Sequence, residues 1–428
     1  MSHSPEVIPE TPIAPREFRR CGALVGVAAA LLAACASLPD PGGRAPSQAL
    51  ANTADTRLGR ALAPGQAQHP GESVFYPLPS GPDAFVARLA LARGAERSLD
   101  LQYYIFDADL TGKTILAAVI AAADRGVRVR LLLDDLHLSG QDRALAAIDA
   151  HPNIEVRLFN PFASRNARWL EFAADFRRLD RRMHNKSMTA DNQLTVVGGR
   201  NIGDGYFSAD TATDFSDLDV LAGGPVVRQV SAVFDDYWNG PASYPVATLL
   251  PEPADAQADV QALRQYLDEQ AVQARGGEYA KDLLASGIEL YELKPSAYAE
   301  LAREGHRSLV SKSRASLHAK SYMVDGHLLF VGSLNLDPRS ARLNTEMGVV
   351  LDSAALCAQL GTGLDDKLLD VADKVMLEPG PAAGAEPEQV WVTREDGLLR
   401  TYDSEPGMSA LQHAGQSLLR LLPLQDAL

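Results

Sequence analysis

The sequence predicts an α/β protein whose two motif-bearing halves are related by a pseudo-twofold axis, the second half shortened. Three observations predict it: a strand-helix-strand unit early in the chain, a motif that occurs twice, and the lack of such a unit before the second copy. In the early unit, "RSLDLQYYIF" (Arg97–Phe106) alternates as a strand does. "TGKTILAAVIAAADRG" (Thr111–Gly126) has helical apolar spacing closed by a glycine, and "VRVRLLLDD" (Val127–Asp135) reads as a buried strand ending in two aspartates. Such a unit belongs to a parallel sheet. "RALAAIDAHPNIEVRLFNP" (Arg143–Pro161) adds a second helix and strand.

The repeat is "HNKSMTADNQLTVVGGRN" (His184–Asn201) and "HAKSYMVDGHLLFVGSLN" (His318–Asn335). Both read H-x-K-x-x-x-x-D, then six residues, then Gly, a small residue, any residue and Asn. Residues i and i+2 of a strand share a face, so each histidine shares a surface with its lysine. A core strand would not present that pair. Two copies in one register make coincidence a poor explanation.

These residue types suit displacement at phosphorus. One imidazole can attack and become a phosphohistidine while the other protonates the departing alkoxide and then deprotonates the incoming hydroxyl. Lys186, Lys320, Asn201 and Asn335 would hold the non-bridging oxygens. The scheme needs no metal or other cofactor, and no cluster of ligand spacing suggests one. His137, His151, His306 and His327 lie outside the pattern and read as surface or loop histidines.

The repeated motifs resemble those of the phospholipase D superfamily, and the resemblance runs from about Gly71 onward. "GSLNLDPRSARLNTEMG" (Gly332–Gly348), "DFRRLDRRMHNKSMTADNQLTVVGGRNIGDGYF" (Asp175–Phe207) and "DLDVLAGGPVV" (Asp217–Val227) are similar to bacterial cardiolipin synthases of the C type. The resemblance implies two phospholipase D-like α/β/α lobes sharing one active site at their interface. It also implies transfer of a phosphatidyl group to phosphatidylglycerol, with phosphatidylglycerol or phosphatidylethanolamine as donor. Its catalytic positions fall here on His184, Lys186, Asn201, His318, Lys320 and Asn335, with Asp191 and Asp325 as structural motif aspartates. Glu346 and Asp219 resemble the acids that orient each histidine through its other ring nitrogen. In relatives the N-terminal histidine is often the nucleophile, which would give attack to His184 and acid-base work to His318. Gly205 stands where relatives tend to carry an acidic residue.

Composition bounds the partners. The chain has 428 residues, 46% of them hydrophobic and 22% charged, so it is globular and about two to three domains long. A net charge of −15 and a pI near 5.1 argue against general affinity for nucleic acid and disfavour a nuclease. Three cysteines, Cys21, Cys35 and Cys357, imply no disulfide framework. Arg16, Arg19 and Arg20 precede the apolar run Cys21–Ala34, as in an export signal, and Leu32–Cys35 resembles a bacterial lipoprotein box. Residues 1–35 would then be a signal peptide, Cys35 the lipid anchor, and Ala36 a pointer to the outer membrane. A plain secretory peptide or a single membrane helix are the other readings, and each places the body at a membrane outside the cytoplasm. Residues 36–70, rich in Pro, Gly, Ala and Ser, read as a tether.

The first lobe would span 71–245 and the second 246–428. Before His184, Arg165, Arg168, Arg177, Arg178, Arg181 and Arg182 surround "WLEF" and "DF". That mixture suits anionic headgroups beside acyl chains, or else a solvated helix face. Trp391, Tyr402 and "SLLRLLPLQDAL" read as a last strand and packing helix. The strand at Ser98 lies 86 positions before His184, but 86 positions before His318 falls on Ala232, still in lobe one. "KDLLASGIELYELKP" (Lys281–Pro295) matches the second helix and strand of lobe one, yet nothing precedes it to match "RSLDLQYYIF" or "GVRVRLLLDD". The chain therefore reads as internally shortened near 274–277. Three functions are compatible: a phosphatidyltransferase, a hydrolase releasing phosphatidic acid, or a degenerate membrane-tethered member that binds lipid without turnover.

Overall fold

The computed structural model describes residues 38–39, 45–209, 214–251, 255, 258–267, 315–335, 337–361, 374–378, 388–395 and 398–402. The predicted export signal with Cys35, the shortening near 274–277, His306 and the closing "SLLRLLPLQDAL" lie outside them.

Lobe one is built on an eight-stranded mixed sheet. Its strands are β1 (Val74–Leu78), β2 (Ser98–Tyr103), β3 (Arg128–Asp134), β4 (Ile154–Phe159), β5 (Ser187–Ala190) and β6 (Leu194–Gly198). After β7 (Asp214–Ser216), which stands outside this sheet, come β8 (Asp219–Gly223) and β9 (Ser243–Pro245). The spatial order is β1-β8-β6-β5-β2-β3-β4-β9, with β2, β3 and β4 parallel and the other pairs antiparallel. The helices are α1 (Arg57–Gln68), α2 (Gly81–Gly94), α3 (Leu110–Asp124), α4 (Asp142–Asp149), α5 (Arg168–Ala174), α6 (Phe176–Leu179), α7 (Pro225–Asn239) and α8 (Val246–Leu249).

Local chemistry explains the predicted strand-helix-strand unit. Asp109 caps α3 by accepting from the Gly112 amide at 3.0 Å. Gly126 follows the helix at φ +90°, a conformation that favours glycine, and turns the chain into β3. β2 and β3 bury every position except Arg128, as strands with both faces covered do.

Lobe two contains β10 (Ala315–Leu317), β11 (Lys320–Val324), β12 (Leu328–Gly332), α9 (Pro338–Arg342), β13 (Gly348–Asp352) and α10 (Ala354–Gly361). Its three-stranded sheet β11-β12-β13 repeats the β5-β6-β8 meander, and Gly332 opposite Gly348 corresponds to Gly198 opposite Asp219. The two sheets share an apolar core of Val197, Val220 and Val230 with Leu329, Val331, Met347, Val349 and Leu351. Each such side chain contributes roughly 1.5–3 kcal/mol on full burial, so this shared core helps to dock the lobes. The last described strands, β14 (Lys374–Glu378), β15 (Glu388–Glu395) and β16 (Leu398–Tyr402), form an antiparallel meander where a single strand was expected around Trp391 and Tyr402.

The expected tether is shorter than 36–70. Helix α1 occupies 57–68, capped by Thr56, and the preceding residues are strapped to lobe one. Buried Arg130 donates to the Ser47 carbonyl at 3.0 Å, and Arg157 to the Ala45 carbonyl at 2.9 Å. Small residues there serve close backbone approach to buried guanidiniums.

The two motif aspartates differ in their surroundings. Asp191, fully buried at φ +52°, accepts from the Glu96, Arg97 and Ser98 amides at 2.7–3.2 Å and so pins the start of β2. Asp325 holds the same turn at φ +51°, yet it is exposed. Where β5 pairs with β2, β11 pairs only with β12 among the described residues. Asp191→Asn is therefore expected to destabilise the protein by about 1–3 kcal/mol, because it weakens charge-assisted bonds to buried donors. Asp325→Asn should stay within about 0.5 kcal/mol, since asparagine tolerates this conformation and no buried donor is lost. Urea unfolding of the two variants measures the contrast.

Candidate active site

Two short parallel pairings between the lobes build the site. β10 lies parallel to β7 with Leu317 opposite Ser216, so the next residues, His318 and Asp217, emerge side by side. Met183 forms a parallel bridge to Thr345, so the next residues there are His184 and Glu346. The His184 amide donates to the Thr345 carbonyl and the Thr345 amide to the Arg182 carbonyl, each at 2.9 Å.

The result is a reciprocal exchange of carboxylates. His184 Nδ1 lies 2.9 Å from Glu346 Oε2 of lobe two and 3.1 Å from the Ser333 carbonyl oxygen. His318 Nδ1 lies 2.5 Å from Asp217 Oδ2 of lobe one. Both neighbours of His184 Nδ1 are acceptors, so Nδ1 carries the proton and Nε2 keeps its lone pair in the neutral ring. Burial, then the Lys186 charge, push the His184 pKa below its ordinary value against the pull of Glu346. An imidazole in this state is a competent nucleophile at neutral pH.

Asp219, expected to orient a histidine, does not reach one. Its buried carboxylate pairs with Arg88 Nη1 at 2.9 Å and accepts from the Arg200 amide at 3.2 Å. The acid that meets His318 is Asp217, two residues earlier. The repeat register carried the signal: Asp219 corresponds to Gly348 in the strand pairing, so Asp217 corresponds to Glu346. The motif glycines make room for this, because a Cβ at Gly199 would collide with the Asp217 carboxylate.

Both lysines join the cluster. Lys186 is fully buried, and desolvation brings its pKa down to about 7 although Glu346, Asp217 and Asp134 oppose the shift. Lys320 is lowered by burial too, again opposed by Asp217 and Glu346. Each lysine thus senses a carboxylate from either lobe, and the two motifs form one electrostatic unit. Between pH 7 and the ordinary lysine value of 10.5 the unfolded chain binds more protons at Lys186 than the folded one, so this residue makes stability rise with pH across that window. Lys186→Met is expected to stabilise the protein by roughly 1–3 kcal/mol at pH 7 while removing a cation from the site. Chemical denaturation at pH 7 and pH 9 tests this, with a smaller gain at the higher pH.

Asn201 and Asn335 differ from each other. Asn201 is buried, accepts from the Ile105 amide at 3.1 Å and donates to the Tyr206 hydroxyl at 2.9 Å, so its amide braces the site from behind. Asn335 is half-buried, two residues after Ser333. Two aromatic contacts were not legible in the sequence. Tyr104 meets the His184 ring edge-on at 5.0 Å between centroids, and Tyr206 meets His318 edge-on at 5.4 Å. His137, read as a loop histidine, also meets Tyr104 at 5.0 Å, whereas His151 is buried against Asp124 at 3.0 Å. Among the described residues no three metal-ligating side chains converge.

The basic stretch before His184 is largely internal. Arg182 is buried against Asp134 at 2.7 Å, Arg168 pairs with Asp135 at 2.9 Å, and Arg165 reaches both Asp135 and Asp142 at 2.5 Å. Arg178 pairs with Glu171 at 2.7 Å. Arg177 and Arg181 are exposed and make no ion pair among the described residues. Across the lobes, Arg339 of α9 grips Asp180 through Nη1 at 2.7 Å.

A family model described as "Cardiolipin synthase, PLD-like domain" matches residues 89–238 and 245–366. The chain belongs to this PLD-like family. Cardiolipin synthase C of Escherichia coli is 34% identical, covering 86% of this chain and 99% of its own. That alignment runs to 476 positions, more than the 428 residues available here, so it opens gaps in this chain. An uncharacterized protein of Helicobacter pylori is 27% identical over 87% of this chain and 93% of its own. Cardiolipin synthase A of Cronobacter sakazakii is 24% identical over 68% of each. Phosphatidylserine synthase of Haemophilus influenzae superposes at a TM-score of 0.48 with 12% identity, over 81% of this chain and 92% of that one, a likeness too loose to bear on function. Two family segments, the second shorter than the first, agree with two lobes of unequal size.

Proposed function

We propose that this protein is a phosphatidyltransferase of the cardiolipin synthase type, with phospholipids as substrates. The observation that carries the reading is the reciprocal pair of histidine-carboxylate contacts, His184 with Glu346 and His318 with Asp217, each formed across the lobe boundary. His184 Nε2 attacks the phosphorus of a donor phospholipid. The bond to the headgroup oxygen breaks, and His318, as imidazolium held by Asp217, gives that oxygen its proton. A glycerol hydroxyl of phosphatidylglycerol then yields its proton to His318 and attacks phosphorus, and His184 leaves as the neutral ring. Lys186 and Lys320 balance the charge on the non-bridging oxygens in both steps. In this reading the lipoprotein box would fix the chain at the cell envelope.

The pKa shifts give the scheme a pH signature. The acid limb of kcat/KM should fall below pH 6.5, because His184 must be unprotonated and its pKa is lowered. KM for the anionic lipid should rise above about pH 7 as free Lys186 loses its proton. A rate profile with vesicle substrate over pH 5 to 9 measures both limbs.

A second reading, a lipid-binding member without turnover, is favoured by one observation: the exposed Asp325 beside β11, which pairs only with β12 among the described residues. Product analysis by mass spectrometry decides. Purified full-length protein is given phosphatidylglycerol with and without phosphatidylethanolamine. Cardiolipin supports transfer, phosphatidic acid alone indicates water as acceptor, and no product from folded protein supports the second reading.

A further inference from the structure

Beside the site, α5 and α6 form a small projection that turns aromatic residues outward while Leu179 stays buried. Trp169 is 73% exposed and Phe176 45% exposed, while Phe172 packs edge-on against Phe176 at 5.3 Å. Exposure of a tryptophan to this degree beside a second aromatic marks an interaction surface more than a stray surface residue. The projection is rigidly built. Buried Glu171 accepts from the Ala163 and Ser164 amides at 3.0 and 2.7 Å and pairs with Arg178 at 2.7 Å. Arg168 ties the base of α5 to the Asp135 carbonyl at 2.7 Å, and Arg339 ties Asp180, just after α6, to lobe two.

Those ties lead to the site. Asp135 opens the turn Asp135–His137 at the carboxyl end of β3, His137 edges Tyr104, and Tyr104 edges His184. Ligands of parallel α/β sheets bind at that end of the strands. Against a net charge of −15, this projection presents Arg177 and Arg181, exposed and without an ion pair among the described residues. Aromatic residues flanked by free arginines complement the boundary between acyl chains and anionic headgroups.

We propose that Trp169, Phe172 and Phe176 enter the surface of an anionic phospholipid bilayer, with Arg177 and Arg181 on its phosphates, and so hold the site over its substrate. This deepens the phosphatidyltransferase reading and rests on it for the substrate, but its test reads contact and not turnover. Full-length protein is mixed with vesicles of phosphatidylglycerol and phosphatidylcholine carrying brominated acyl chains, and with unbrominated controls. The emission that Trp169→Phe removes isolates Trp169 from fully buried Trp238 and from Trp391. The expected result is at least about twofold quenching of the Trp169 emission by brominated chains, reduced in Arg177→Ala/Arg181→Ala. Unquenched Trp169 on protein that floats with the vesicles overturns the proposal and gives this surface to a protein partner. Quenching unchanged in the double arginine variant overturns the part assigned to the arginines. Quenching by a protein that makes no product upholds the projection and sinks the phosphatidyltransferase reading, whereas product made with Trp169 unquenched sinks the projection alone.

Discussion

His184→Ala is expected to abolish phosphatidyl transfer, with turnover lowered by about 10⁴-fold or more, and His318→Ala to lower it by about 10²–10⁴-fold. The difference follows from the roles proposed for them. Without His184 there is no group to carry the phosphatidyl unit, so no covalent intermediate forms. Without His318 the attack remains possible, but the departing alkoxide must take its proton from water and the acceptor hydroxyl has no base. His318→Ala should therefore recover part of its rate with a donor whose leaving group is acidic, such as a nitrophenyl phosphodiester, and His184→Ala should not. Both variants should stay folded but lose about 1–3 kcal/mol of stability, because each leaves a carboxylate, Glu346 or Asp217, without its histidine partner. If either variant kept the wild-type rate, the shared-site mechanism would be wrong.

The carboxylates come next in size. Glu346→Gln and Asp217→Asn should each lower kcat by about 10²–10⁴-fold, since each acts through the histidine it holds, and should raise KM as well, since each carboxylate also supports the charge on Lys186. Glutamine in place of Glu346 can turn an N–H toward His184 Nδ1, which favours the tautomer whose proton sits on Nε2 and blocks attack. Asparagine in place of Asp217 removes the charge that supports an imidazolium at His318. Glu346→Gln should also shift the acid limb of the rate profile to lower pH, because the carboxylate raises the His184 pKa against burial. Asp219→Asn has a different signature. Its carboxylate sits against fully buried Arg88, so the variant should lose stability by about 3–5 kcal/mol, as expected when a buried guanidinium loses its partner. Steady-state kinetics beside urea unfolding separates the two aspartates.

The two motifs and the strand-helix-strand unit were legible because their information is local: spacing places histidine and lysine on one face, and Asp109 and Gly126 bound the helix. The acid at His318 was missed by two residues, since only the strand register equates Asp219 with Gly348. Tyr104 and Tyr206 gave no signal, because an aromatic just after β2 or in the helical turn Asp204–Tyr206 reads as core until its neighbour across the site is known. The arginine run looked like a headgroup surface. Four of its six members are spent on Asp134, Asp135, Asp142 and Glu171, partners that only the fold brings near, and Arg177 and Arg181 remain. The segment expected as a tether failed as a prediction for a related reason: its small residues match carbonyls to buried Arg130 and Arg157. The shortening read near 274–277 as a missing repeat lies outside the described residues, among which Asp191 is buried and Asp325 exposed.

The account stands most directly on where the phosphatidyl group is held between the two steps. Full-length protein is mixed with phosphatidylglycerol, quenched with alkali within a fraction of a turnover, digested, and the peptides carrying each motif are weighed by mass spectrometry. The account predicts a phosphatidyl adduct on His184 that is greatly reduced in Glu346→Gln. An adduct on His318, or cardiolipin formed with no adduct on either histidine, would contradict it.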